Sequence, residues 1–188
     1  MKVKRLAFVA LMAAVCCVLG PLSIPIGSVP VSLGVLAVYL AAYVLGGKWG
    51  TLSVLVYLLL GLLGLPVFSG FAGGPGKFFG PTGGFLVGFL LLAGICGFFV
   101  DLSDQRKGPV KYGLQLTGMI LGLAGCYALG TIYFMQVMKT GLVAALSACV
   151  LPFLVFDALK IVSSMILGNA LRRALTSSGL LEREGYGS

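Results

Sequence analysis

Leu151-Pro152-Phe153-Leu154-Val155-Phe156-Asp157-Ala158-Leu159-Lys160-Ile161-Val162 decides how this chain is read. It lies in an apolar run from Leu142 to Leu171 that holds no other charged residue. A helix needs about 20 apolar residues to cross a bilayer, and this run is long enough. Asp157 and Lys160 stand three residues apart, so a helix puts both on one face. A charge near the bilayer centre costs roughly 2.5–3.5 kcal/mol on insertion scales. Charges kept at that cost face a cavity, a ligand or each other. The pair is therefore either a self-compensating structural ion pair or a substrate site, the default reading for ionisable residues inside a membrane.

The rest of the chain supports a membrane setting. Of its 188 residues 59% are hydrophobic and only 10% charged, and the mean hydropathy is +1.10. A soluble domain carries about 25% charged residues. The net charge of +8 does not signal nucleic acid, because the basic residues form no patch interleaved with exposed aromatics. They punctuate hydrophobic runs, as topology signals do.

These runs predict an all-α integral membrane protein, one domain over residues 1–188. Six transmembrane helices are expected at about 6–20, 31–45, 51–65, 84–100, 112–138 and 142–171. Pro152 bends the last of them. With the N-terminus inside, Lys2, Lys4, Arg5, Lys48, Arg106, Lys107, Lys111, Arg172, Arg173 and Arg183 fall inside, and only Lys77 and Lys139 outside. That bias places both termini in the cytoplasm. The opening Lys2, Lys4 and Arg5 and the apolar run after them resemble a secretory signal, but no small-x-small cleavage site follows. The first helix is read as retained.

Several chemistries are excluded. The chain has no histidine, and Asp157 is the one carboxylate within a predicted span, so neither a His-ligated metal centre nor a Ser-His-Asp triad can form. Cys16, Cys17, Cys96, Cys126 and Cys149 lie in spans without a C-x-x-C and read as small packing residues. No metal site, catalytic residue or cofactor is assigned. Gly73-Gly-Pro-Gly-Lys77-Phe-Phe-Gly80 lacks the spacing and the Ser or Thr of a phosphate loop. Any ATP-driven work would need another subunit.

The two long outer loops are almost uncharged. Pro21–Pro30 reads as an extended segment or short hairpin, and Pro66–Gly83 is glycine-rich. Irregular backbone near a bilayer must be buried in protein or line a cavity, so both are expected to be structured walls or lids. Small residues recur four apart at Ala10 and Ala14, Gly84 and Gly88, and Gly118 and Gly122, a spacing that lets helices approach closely in lipid.

Gly64-Leu-Pro-Val-Phe-Ser-Gly70, Gly80-Pro-Thr-Gly-Gly-Phe85, Ser28-Val-Pro-Val-Ser-Leu33 and Pro152-Phe-Leu-Val-Phe-Asp-Ala-Leu-Lys160 together resemble the BioY family. Gly34 stands where many members carry Gln. The resemblance covers about residues 6–171 and implies the biotin-binding S-component of an energy-coupling factor (ECF) transporter of a bacterial cell membrane. It implies a six-helix S-component-like bundle with an outward-facing vitamin site. It implies as partners the transmembrane coupling protein EcfT and ABC-type ATPase subunits, docked through a small-residue face on the first helix, here Ala10 and Ala14. Some members act alone, and an S-component for another vitamin is the nearest alternative. By the same resemblance Asp157 and Lys160 contact the substrate. Gly80, Pro81, Thr82, Gly83 and Gly84 supply a binding loop, and Val29, Val31 and Ser32 a gate. Biotin would be a transported ligand, not a cofactor, and no covalent chemistry is expected. A membrane enzyme using Asp157 as acid or base, and a purely structural scaffold, are the remaining readings.

Overall fold

The computed structural model describes residues 2–24 and 30–180. Helix α1 (Lys2–Leu19) leads into an antiparallel two-stranded ribbon, β1 (Ser23–Ile24) and β2 (Val31–Ser32). Then follow α2 (Gly34–Leu62), the short α3 (Pro75–Phe78), α4 (Gly83–Ser103), α5 (Pro109–Met138), α6 (Leu142–Cys149) and α7 (Leu154–Ser177). Among these, α4, α5 and α7 are each long and apolar enough to cross a membrane, and α2 is as apolar but folded back on itself. The lipid-facing side is plain on α7. Val155, Leu159, Val162 and Ile166, each more than half exposed, form a stripe at helical spacing. Opposite them Asp157, Lys160, Ser164 and Gly168 are buried. In water such a stripe would be a large sticky patch; against acyl chains it is at home.

Two expectations need correction. Residues 31–45 and 51–65, expected as two spans, fall on the two limbs of α2, and the connection between them is one residue rather than five: helical geometry runs from Gly34 to Leu62, broken only at Gly46, whose φ is 77 and ψ −173. The chain doubles back there. A Cβ built on Gly50 would lie 3.0 Å from the Ala41 carbonyl oxygen, whereas residues nine apart in a straight helix are separated by about 13 Å. One residue suffices for the reversal because glycine accepts a positive φ. The expected loop residues 47–50 are already the first turn of the returning limb.

The second correction concerns residues 142–171, expected as one bent helix. They form two helices, α6 and α7, separated by residues 150–153. Pro152 lacks the N–H that would donate back along the helix, and its ring clashes with the preceding turn. Val150, at φ −123 and ψ −56, has already left helical geometry. The break presents Cys149 and Phe153 to the interior.

Glycines set the tightest packing. Gly84 and Gly88 of α4 face α5, and Gly118 and Gly122 of α5 face α4. A Cβ on Gly88 would sit 2.8 Å from Cys126 Sγ, and one on Gly122 3.1 Å from the Leu92 carbonyl oxygen. Around this seam Tyr39, Tyr43, Tyr57, Phe68, Leu92 and Met119 are fully buried.

The helices alternate between two ends. The ribbon, the 63–82 loop, α6 and the start of α7 gather at one end. The Gly46 turn, the start of α1, the α4–α5 connection and the end of α7 gather at the other. Lys77 and Lys139 belong to the first end. The basic residues of α1, Lys48, the 104–111 segment and the Arg172–Arg173 pair belong to the second.

Candidate functional site

At the first end a cavity opens between α2, α4, α5 and α7. Its walls are mainly apolar: Val35, Phe85, Leu86, Phe89, Leu123 and Phe153. Polar groups converge at a few points, from Asp157, Lys160, Tyr127, Tyr57, Ser69, Thr82 and Ser32. Few polar groups in an apolar wall is the usual composition of an orienting small-molecule site.

The charged pair sits in that wall. Lys160 Nζ donates to Asp157 Oδ1 at 2.7 Å, one helical turn apart on α7. Asp157 is 2% exposed and Lys160 8%. The second carboxylate oxygen, Oδ2, accepts a hydrogen bond from the Tyr127 hydroxyl on α5. Asp157 lies in the first turn of α7, where the helix dipole favours a negative charge. The pair is thus neutral overall, held from two helices, and open to the cavity. A carboxylate has about four lone-pair sites and an ammonium three donors. With one bond to each oxygen and one from the amine, acceptor and donor capacity remains on both groups.

Both outer loops contribute. In the ribbon Ser23 pairs with Ser32 and Ile24 with Val31, and Ser32 faces the cavity. Its hydroxyl accepts from the Gly34 N–H at 3.2 Å, turning the chain into α2. The 63–82 loop folds inward. Phe68 is fully buried, meets Tyr57 edge-on at 5.7 Å, and pairs with Ala72 across a tight turn. Gly70 and Phe71 both take positive φ there. That turn brings Ser69 to the cavity.

The expected site residues divide. Asp157, Lys160, Thr82 and Ser32 come together on one cavity. Gly83 and Gly84 instead line a separate apolar groove on the outer face of α4 and α5, where a Cβ on Gly84 would overlap Tyr133. Their smallness serves helix packing. Gly80 and Pro81 lie in the turn entering α4, where the Gly80 carbonyl accepts from the Gly83 N–H at 2.9 Å, and neither lines the cavity. Val31 packs with Phe134, Ala145, Cys149 and Phe153 behind the cavity wall. Val29 lies outside the described residues. Ala10 and Ala14 are exposed on α1, and Ala14 lines a shallow apolar groove with Leu11, Val15, Val18 and Leu19.

Sequence reasoning missed Tyr57, Ser69 and Tyr127. A tyrosine within an apolar span is unremarkable by itself, and nothing in the spacing of Tyr127 points to Asp157. A second charged cluster, at the opposite end, was also missed. Arg172 donates to Asp104 Oδ2 from Nε at 3.1 Å and from Nη2 at 2.7 Å, to Asp101 Oδ1 at 3.0 Å, and to the Tyr43 carbonyl at 2.6 Å. Asp101 Oδ2 accepts from the Gly47 N–H at 2.9 Å, which ties the helix reversal to α4. Lys111 approaches Asp104 at 3.7 Å. Among the described residues no group of His, Cys, Asp and Glu is placed to hold a metal ion.

Comparison with known proteins places this architecture. Residues 1–177 match the BioY family. The biotin transporter BioY of Thermotoga maritima is 40% identical over 152 residues, 81% of this chain and 86% of that protein. The probable biotin transporter BioY of Pyrococcus horikoshii is 37% identical over 92% of this chain and 98% of its own length. Among solved structures, the S-component for biotin from an ECF-type ABC transporter superposes with a TM-score of 0.83 at 33% identity, covering 92% of each chain.

Proposed function

This chain belongs to the BioY family, and on that premise we propose that it is the high-affinity biotin-binding S-component of an ECF-type ABC importer. The observation that carries the proposal is the Asp157–Lys160 pair in the wall of a mainly apolar cavity. Biotin offers two ureido N–H donors, one ureido carbonyl, an apolar bicyclic ring and a carboxylate tail. Asp157 as a carboxylate supplies only acceptors and suits the N–H groups; Lys160 supplies only donors and suits the carbonyl or the tail. Charge-assisted hydrogen bonds of this kind are short and roughly twice as strong as neutral ones. Phe85, Phe89 and Phe153 offer apolar surface to the rings.

The cavity end faces outward and the basic end faces the cytoplasm of a bacterial cell, with both termini inside. External biotin enters, and the ribbon together with the 63–82 loop covers it. The chain carries no phosphate loop, so ATP-driven reorientation of the loaded subunit comes from ABC-type ATPases through EcfT. The exposed Ala10–Ala14 face of α1 is the docking surface, since small residues let another helix approach closely in lipid. Biotin is transported unchanged.

The experiment is a ligand titration by calorimetry on the detergent-purified protein. One-site, saturable binding of biotin that collapses in Asp157→Asn and Lys160→Ala supports the proposal. Folded protein that ignores biotin but binds another vitamin would make it an S-component of different specificity.

A further inference from the structure

The Tyr127 hydroxyl is the only group outside α7 that hydrogen-bonds the Asp157 side chain among the described residues. We infer that Tyr127 is a positioning residue of the vitamin site, one that holds the Asp157 carboxylate open to the ureido edge of the ligand. The inference rests on the functional reading above.

The geometry explains why such a residue is needed. Lys160 sits one turn beyond Asp157 on the same helix, with its amine 2.7 Å from Oδ1. An ammonium this close draws a carboxylate toward itself, and free rotation of the carboxylate would let both oxygens close on Nζ. Their outward lone pairs would then be spent inside the protein. Tyr127 reaches from α5 to Oδ2 and pins that oxygen in place. One oxygen is fixed by the amine and the other by the hydroxyl, which leaves one lone-pair direction on each for a ligand. A free acceptor direction on Asp157 beside the Lys160 amine matches one edge of a ureido ring, where an N–H stands next to the carbonyl. Tyr127 itself lines the cavity beside the pair.

The rival role is mechanical. α7 packs mainly on α2 and only lightly on α5, so the same hydrogen bond could serve merely to staple two helices. A staple affects every ligand alike. A positioning residue affects only ligands that use the carboxylate.

The test compares two ligands on two proteins by calorimetry: biotin, and a biotin with its ureido nitrogens methylated, each against wild type and Tyr127→Phe. Loss of one hydrogen bond to a charged group predicts about tenfold weaker biotin binding in Tyr127→Phe. The methylated ligand, which cannot donate to Asp157, should bind both proteins with about equal affinity. Unchanged or tighter biotin binding in Tyr127→Phe overturns the inference, and so does an equal loss for both ligands. Should the Phe variant fail to fold, 4-fluorophenylalanine at position 127 fills the space of the hydroxyl without donating, and the same outcomes apply. Wild-type protein that does not bind biotin removes the functional reading itself. Normal wild-type binding that collapses in Asp157→Asn, with Tyr127→Phe indifferent, removes this inference alone.

Discussion

Helix α7 carries a charged cluster at each end, and the two are built differently. At the cavity end a single pair, Asp157 and Lys160, is braced by one tyrosine and keeps unused donor and acceptor sites facing open space. At the basic end Arg172 makes four hydrogen bonds to two carboxylates and a carbonyl, and the Gly47 N–H and Lys111 take up further oxygens. Arg172 lines none of the described cavities. The cavity pair is buried, and Arg172, Asp101 and Asp104 are partly buried, so both clusters hold charge away from water. What separates them is satisfaction. A saturated cluster is finished and holds helices together. An unsaturated one beside a cavity is waiting for a ligand.

The sharpest way to break this contrast is to disable one cluster and read both binding and stability. Asp157→Asn removes the charge and turns one acceptor into a donor. It should weaken biotin binding by about 100-fold or more, the range for truncating a buried charged hydrogen bond, as read by calorimetry. Arg172→Ala leaves two carboxylates facing each other without their cation. It should cost about 3 kcal/mol of stability in detergent unfolding and leave the biotin affinity of the folded protein within about threefold of wild type. If Arg172→Ala lowered affinity as much as Asp157→Asn, the division between the clusters would fail.

Smaller changes sharpen the same contrast. Gly46→Ala forces a side chain into a positive φ and against the Asp101 carboxylate. A loss of about 2 kcal/mol is expected in thermal unfolding, since this extended positive-φ backbone, essentially glycine's alone, costs about 1–3 kcal/mol for an L residue. Ser69→Ala removes one neutral hydroxyl from the cavity and should raise the Kd about fivefold, near the value of one neutral hydrogen bond, with an unchanged melting temperature.

The two ends also differed in how far the sequence revealed them. Asp157 and Lys160 stood out because charge inside an apolar run has few physical excuses. Arg172, Asp101 and Asp104 sit at helix ends, where charges are ordinary topology signals, so nothing in the sequence marked them as a network. Tyr127 was hidden for a related reason: the chain has seven tyrosines, and only the packing of α5 on α7 selects this one. The helical character, the structured loops and the close glycine contacts between α4 and α5 were legible from hydropathy and spacing. The reversal at Gly46 was not, because a Gly-Gly-Lys stretch between apolar runs reads as a loop until the Asp101 carboxylate is seen filling the space beside it. The Pro152 break was visible as a disturbance, but a proline alone does not say whether a helix bends or ends.

The most direct test is calorimetric titration of biotin into wild type, Asp157→Asn and Arg172→Ala side by side. Calorimetry suits it better than fluorescence, because Trp49 lies beside the Gly46 turn at the end away from the cavity. Saturable one-site binding in wild type and Arg172→Ala, lost in Asp157→Asn, is the result this account predicts. Folded wild-type protein that takes up no biotin, or an Asp157→Asn variant that binds it as tightly as wild type, would contradict it.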